Sequence, residues 1–201
     1  MMFSEVVWTT ELNIGNYDLV QKCLEHKKNN PKSENRSNYG GWHSKDIAAN
    51  NNVLDPFIEV FDEITTNVNE FKNYLLIKNG LLTHLQGGWI VINGHKDCNF
   101  LHRHGGSVVS GVLYVYAVEG QGDLVFEEGS GIKLDYVGNN LFDSHTSITA
   151  SKYRVKPRTG LLVLFPSWYK HMVLPNETTE ERIALSFNYG FIEPLNVFEQ
   201  P

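Results

Sequence analysis

Residues 99–115, NFLHRHGGSVVSGVLYV, set two histidines one residue apart, follow them with Gly105 and Gly106, and run into a stretch of Val, Leu and Tyr. Side chains on a strand alternate between faces, so His102 and His104 share a face there and both rings can reach one ion. Taken alone, an H-x-H pair reads equally well as two exposed or structurally satisfied histidines, and the surrounding sequence has to decide. From residue 86 onward short apolar runs alternate with Gly, Asn and Asp turns: GGWIVI, FLHRH, SGVLYVYAV, DLVFEE, KYRVKP, GLLVLFP, HMVLP and ERIALSFNY. Eight short strands with turn punctuation and no helical period between them predict a sandwich or barrel.

Upstream of about residue 80 the character is helical. Asn16 is a candidate cap for YDLVQKCLEHKK, in which Leu19, Val20, Cys23 and Leu24 form one apolar stripe. Asp55-Pro56 has the chemistry of a cap followed by a first helical residue. The helix it opens, from Pro56 to about Leu75, repeats Phe57, Ile58, Phe61, Ile64, Val68, Phe71 and Leu75 at three- and four-residue steps, so one face should lie on something large. Between these helices NNPKSENRSNYGGWHSKDIAANNN, rich in Asn, Ser and Gly, reads as a long loop. The 201 residues read as a single domain, with residues 1–80 as helical support and long loop and residues 86–190 as the β core.

Composition narrows the function. Two cysteines in a chain of this length, Cys23 and Cys98, point to a reducing compartment and to small core side chains rather than a disulfide framework. No run approaches the about 18 apolar residues of a membrane span, and the N-terminal residues lack the pattern of a signal peptide, so the expectation is a cytoplasmic protein that does not engage membranes. A net charge of −6 with scattered lysines gives no basic stripe for phosphates, which argues against nucleic acid and leaves a small molecule, a peptide or a protein as partner. The sequence is silent on oligomeric state.

The later segment PRTGLLVLFPSWYKHMVLPNETTEERIALSFNY strengthens the histidine reading. It carries an apolar strand, then His171, then Arg182 eleven positions on. Alternation along ERIALSFNY puts Arg182, Ala184, Ser186 and Asn188 on one face and Ile183, Leu185, Phe187 and Tyr189 on the other. If a helix covers the apolar face, the polar face looks inward and the arginine requires an anionic partner. The alternative is a half-exposed strand with Arg182 in solvent beside Glu180 or Glu181.

The histidine pair, SGVLYV, and FPSW followed by a histidine, a proline, an arginine and SFN together resemble the 2-oxoglutarate- and Fe(II)-dependent oxygenases of the prolyl-hydroxylase-like kind, in a branch found in viral and bacterial genomes. The resemblance spans residues 86–190, with SNYGGWHS as a weaker match upstream. It implies a double-stranded β-helix, a cupin-like jelly roll with flanking N-terminal helices. It also implies a hydroxylating dioxygenase that uses Fe(II) and takes 2-oxoglutarate as co-substrate. The family's iron ligands fall on His102 and His171, and the basic residue for the far carboxylate of 2-oxoglutarate falls on Arg182. A tyrosine that often joins it matches Tyr114, with Ser186 and Asn188 as neighbours. Trp42 and His43 are candidates for the substrate mouth, and a prolyl residue of a peptide or protein is the substrate the resemblance suggests.

One departure stands out. The family's usual H-x-D/E motif supplies a carboxylate where this chain has His104. Either three histidines hold the iron, or a carboxylate such as Asp97 comes from elsewhere, or the site no longer runs oxygen chemistry. Strand parity favours His104 over Asp97, and Gly105-Gly106 suits close backbone approach to a ligand. A three-histidine cupin that does not use 2-oxoglutarate, and a non-catalytic jelly roll holding zinc, are the rival readings. His26, His43, His84, His95 and His145 are expected at the surface, with His43 a partial exception as a candidate for the mouth, and Trp168 and Tyr169 are expected as packing and rim residues.

Overall fold

The computed structural model describes residues 6–127 and 150–194. In chain order the elements are β1 (Trp8–Glu11), α1 (Leu19–Asn29), the two-residue strands β2 (Asn38–Tyr39), β3 (Trp42–His43), β4 (Ala48–Ala49) and β5 (Asn52–Val53), and α2 (Ile58–Tyr74). Then come β6 (Leu82–Asn93), β7 (Cys98–His102), β8 (Val109–Tyr116), β9 (Leu124–Glu127), β10 (Lys152–Val155), β11 (Leu161–Pro166), β12 (Lys170–Val173) and β13 (Arg182–Ile192). Each of the eight apolar runs read from the sequence forms one of the strands β6 to β13. His145 lies outside the described residues.

The strands form a six-stranded sheet in the order β1-β11-β8-β13-β6-β3, a five-stranded sheet in the order β10-β9-β12-β7-β2 and a two-stranded ribbon of β4 and β5. All pairings are antiparallel, and the fold is the expected jelly roll. The large sheet buries both faces, which is why β11 reads as an unbroken apolar run. Leu161, Val163 and Phe165 face the small sheet, packing with Leu124, Phe126 and Val155. Leu162 and Leu164 face the helices together with Ile183, Leu185 and Phe187 of β13. The alternation read from ERIALSFNY therefore holds, with the apolar face under the helices and the polar face inside the roll.

Helix α2 lays Val60, Phe61, Ile64, Val68 and Phe71 on that outer face. Gly88 of β6 makes the contact possible, because a Cβ there would come within 2.7 Å of the Phe61 ring. The Phe61 and Phe187 rings meet edge to face, with centroids 6.1 Å apart. Among the described residues no helix is long and apolar enough to cross a membrane.

Three sequence expectations change. Asn16 does not cap α1: a turn closed by Tyr17 N–H to Ile14 O comes first, and the helix starts after Asp18, whose φ is +47°. Asp55 is not a cap either, since Asp55–Phe57 forms a 3-10 turn leading into α2, and Ile58 is exposed while Val60 takes the inward place. The Asn-rich segment is not a free loop. Its strands β2 and β3 pair with β7 and β6, and Ser44 Oγ and Asp46 Oδ1 accept the N–H groups of Ile90 and Gly88 at 2.9 and 3.0 Å. Short polar residues here supply the hydrogen bonds of an edge. Cys23 is fully buried, as expected of a small core residue, whereas Cys98 is half-buried.

Because Phe61 and Phe71 are about 1% and 0% exposed, Phe61→Ala and Phe71→Ala should each destabilise the fold by about 3–5 kcal/mol. Denaturant unfolding checks this. Variants as stable as the wild type would mean that α2 is not packed on the sheet.

Candidate functional site

Strands β12 and β7 pair so that His171 and His102 are direct cross-strand partners. His104 lies two residues beyond the end of β7, where its N–H donates to Ser167 O at 2.9 Å. Strand parity therefore does not extend to His104; the backbone bond to the segment before β12 brings its ring in. One ligand atom of each of His102, His104 and His171 lies within 4.8 Å of the others. The ring centroids are 4.3 Å apart for His102 and His171 and 5.1 Å for each pair with His104.

The environment keeps these imidazoles neutral. Burial, followed by the neighbouring His102, pushes His171 down to about 3, against the opposing pull of the Tyr169 carbonyl. Burial and His102 take His104 down to about 4. Burial also lowers His102, opposed by the Phe100 carbonyl. Phe165 and Phe126 pack on His171 at 4.7 and 6.0 Å and supply much of that dry surface. Each ring is thus the neutral imidazole at neutral pH, the charge state that binds a metal. Three imidazole donors suit iron, zinc or copper by ligand chemistry, so the residues present fit a divalent transition metal.

A second group faces the same cavity of about 600 Å3. Arg182 is 3% exposed, and the expectation of a solvent-facing arginine fails. Glu180 and Glu181 are engaged elsewhere, with the Tyr116 hydroxyl and Lys27. The guanidinium donates to Gln121 O at 2.6 Å, Gly122 O at 3.0 Å and Asn93 Oδ1 at 3.1 Å. No carboxylate among the described residues pairs with it. Burial lowers its pKa, and the group stays charged because its intrinsic value is so high. Tyr114, in register with Ala184 on the neighbouring strand, lines the cavity beside it, and burial pushes its hydroxyl up to about 12. It is a neutral donor across the working pH range.

The remaining sequence candidates separate. Ser186 and Asn188 line the cavity, and Asn188 meets His104 Nδ1 at 3.4 Å. His43 is buried in the cavity wall, stacked on Trp89 at 5.7 Å, and Trp89 in turn lies 5.9 Å from His104. Trp42 is not at a mouth: it is 5% exposed in the core, with Nε1–H donating to Asn30 O. Asp97 is not a ligand candidate, since its carboxylate accepts Gly94 N–H in a turn and does not line the cavity. Nothing lies within 4 Å of a Cβ built on Gly105 or Gly106, and Gly106 serves a φ of +85°. Trp168 is exposed, as expected of a rim residue. Sequence reading missed Asn93, Ser37, Asn99 and Trp89, all in the cavity wall. For Asn93 and Trp89 a signal existed, because they stand opposite Arg182 and Ser186 of the polar face read from ERIALSFNY.

Comparison with protein families matches a 2OG-Fe(II) oxygenase model to residues 87–188, half of the chain. No curated protein matches the sequence. Among solved structures, a prolyl-4-hydroxylase from Pseudomonas putida superposes with a TM-score of 0.66 at 16% identity, covering 92% of each chain. HygX from Streptomyces hygroscopicus, solved with nickel and 2-oxoglutarate, gives a TM-score of 0.65 at 15% identity over 98% of this chain and 86% of that one. A viral collagen prolyl hydroxylase from Paramecium Bursaria Chlorella virus-1 gives 0.57 at 16% identity over 92% and 96%. At these identities the structures establish a shared fold.

The depressed histidines make stability depend on pH in a definite direction. In the unfolded chain these imidazoles take up protons as pH falls through their ordinary 6.5, while in the metal-free fold His104 and His171 resist until about 4 and 3. The unfolded state binds more protons across that window, so the contribution is full above about pH 6.5 and is lost as pH falls toward 4. The denaturant midpoint of the metal-free chain should drop between pH 7.5 and 5, with a shallower drop in His171→Gln. Equal pH slopes for the two proteins would contradict the burial of a neutral His171.

Proposed function

Because the chain belongs to the 2-oxoglutarate- and Fe(II)-dependent oxygenases, we propose that His102, His104 and His171 hold the iron and that Arg182 and Tyr114 receive the far carboxylate of 2-oxoglutarate. The observation that carries this assignment is the meeting, in one cavity, of three neutral imidazoles and a buried guanidinium with no counter-ion among the described residues. Bound together, Fe(II) and 2-oxoglutarate would, with dioxygen as oxidant, supply oxidative decarboxylation of the keto acid to succinate and carbon dioxide, one oxygen atom going to succinate and the other to the hydroxyl formed on a substrate C–H bond.

The chain's own part is placement and shielding. Arg182 is fixed by two backbone carbonyls and an amide oxygen, so it needs no reorganisation to meet an anion. Burying a cation without a partner is costly, and a dianionic co-substrate removes that cost on binding. Tyr114 adds a neutral hydroxyl donor beside it. Phe126 and Phe165 keep water from one side of His171, and Ala184 keeps the space between the polar side chains of β13 clear. Ser186 stands as a further polar neighbour of the co-substrate. His43 and Trp89 form a flat aromatic wall near His104, suited to the apolar part of a substrate.

A prolyl residue of a peptide or protein is the substrate class this reading favours. Its support is the presence of prolyl hydroxylases among the structural relatives, one of them solved with a peptide fragment of hypoxia inducible factor. The whole 201-residue chain serves as one oxygenase domain, with α1 and α2 as the outer support of the large sheet.

Arg182→Ala should weaken 2-oxoglutarate binding by about 2–4 kcal/mol, roughly thirty- to a thousand-fold. Metal binding should stay nearly unchanged, since Arg182 is not a donor to the metal. Calorimetry on the metal-loaded protein without oxygen measures both. Equal affinity in wild type and variant would remove Arg182 from the co-substrate site.

A further inference from the structure

The three imidazoles differ in what holds their second nitrogen. His102 Nδ1 lies 2.6 Å from Phe100 O, and His171 Nδ1 lies 2.9 Å from Tyr169 O. A carbonyl can only accept, so both neutral rings carry their proton on Nδ1 and turn a bare Nε2 inward. His104 Nδ1 faces a side chain instead, the carboxamide of Asn188. Its Nε2 lies 3.3 Å from the Nε2 of His171. Since His171 Nε2 bears no proton, that contact is a hydrogen bond only when His104 carries its proton on Nε2. In this form His104 Nδ1 accepts from Asn188 Nδ2, and Asn188 Oδ1 accepts from Ser110 Oγ at 2.7 Å. Ser110 and Ser167 are 1% and 0% exposed, and their hydroxyls lie 2.8 Å apart. The network is closed, and His104 shows no lone pair to the centre of the site.

We infer that Asn188 is the positioning residue that decides which nitrogen of His104 carries the proton, and so whether the third imidazole can bind a metal. Turning the carboxamide over places Oδ1 against His104 Nδ1–H and Nδ2–H against Ser110 Oγ, which then donates to Ser167 Oγ. The two ends of a carboxamide are nearly the same size, so the turn needs no repacking. One proton leaves Nε2 and one arrives at Nδ1, so the ring stays neutral and no group changes charge. His104 Nε2 then points inward bare, as the other two already do. Metal-bound histidines are generally held through their other nitrogen by such an acceptor, and its loss typically costs ten- to a hundred-fold in metal affinity. The site is thus asymmetric: two imidazoles are fixed by main chain, whereas the third, at the position where the family has a carboxylate, depends on a side chain that can present either a donor or an acceptor. This inference rests on the three histidines being metal ligands.

Co(II) titration, followed by its visible absorption, separates the possibilities without using turnover. Asn188→Leu is close in size and offers no acceptor, and it should bind Co(II) about ten- to a hundred-fold more weakly than wild type. Asn188→Asp offers an acceptor in either orientation and should bind at least as tightly as wild type. Ring nitrogen chemical shifts of the metal-free wild type should show the Nε2–H form for His104 and the Nδ1–H form for His102 and His171, with His104 changing to Nδ1–H when Zn(II) is added. These shifts decide the matter if Asn188→Leu fails to fold. Equal Co(II) affinity in all three proteins, loss in Asn188→Asp as large as in Asn188→Leu, or a His104 already in the Nδ1–H form without metal would overturn the role of Asn188. A wild type that binds no Co(II) would instead overturn the ligand reading itself, and this inference with it.

Discussion

The site is organised around a positive charge that the fold buries and that no carboxylate among the described residues neutralises. Arg182 opens β13 on the inner face of the large sheet, 3% exposed, and takes two main-chain carbonyls and one amide oxygen in place of a carboxylate. A stability-driven fold would pair or expose such a group. Keeping it requires surroundings that cannot relax. Strand β13 is clamped along its length between β6 and β8, and its outer face is sealed by α2 and the long apolar cluster. The turn at Gln121 and Gly122 is fixed as well. Gln121 is fully buried, and a side chain on Gly122 would come within 2.0 Å of Leu174 O. Much of the core thus serves to hold one cation where only a ligand can reach it.

Features with a periodic or chemical signature were legible in the sequence, and features made by pairing were not. The eight strands β6 to β13 announced themselves through alternation and turn residues, and the period of two in ERIALSFNY put Arg182 on one face with Ser186 and Asn188, while which face looks inward is decided by α2 covering the other. Strand β1 escaped because WTTE has no pattern of its own; its strand character comes from the edge of β11. The same holds for β2 and β3, whose residues look like a loop until β7 and β6 pair with them, and for β4 and β5, which pair only with each other. The carbonyls of Gln121 and Gly122 carry no sequence signal at all. Trp42 was misplaced because an aromatic in a Gly-rich segment looks like a mouth residue, whereas its indole packs inward and donates to Asn30 O. Membership of the oxygenase family also displaces the cupin reading, which the H-x-H spacing had left open.

Under the proposed ligand set, His104 changes the electrostatics of the centre. Two histidines and a carboxylate neutralise one charge of a divalent ion, while three imidazoles neutralise none. With a dianionic co-substrate the usual complex is left near −1, and this one near zero. The added positive charge falls in the same cavity as Arg182, where the one acidic wall residue among the described residues, Asp46, spends an oxygen on the N–H groups of Ala48 and Gly88. Anionic co-ligands are favoured by the whole arrangement rather than by a single contact. The histidine also brings a demand that a carboxylate does not, a partner for its second nitrogen, which falls to Asn188.

The central claim is that His104 completes an iron site which, with Arg182, chelates and anchors 2-oxoglutarate. The most direct measurement adds Fe(II) and 2-oxoglutarate to the metal-free protein without oxygen and records the visible spectrum. The wild type should develop the charge-transfer band of a keto acid chelated to Fe(II), absent when either addition is omitted and lost in His104→Ala. No band in the wild type, or an equal band in His104→Ala, would contradict the account.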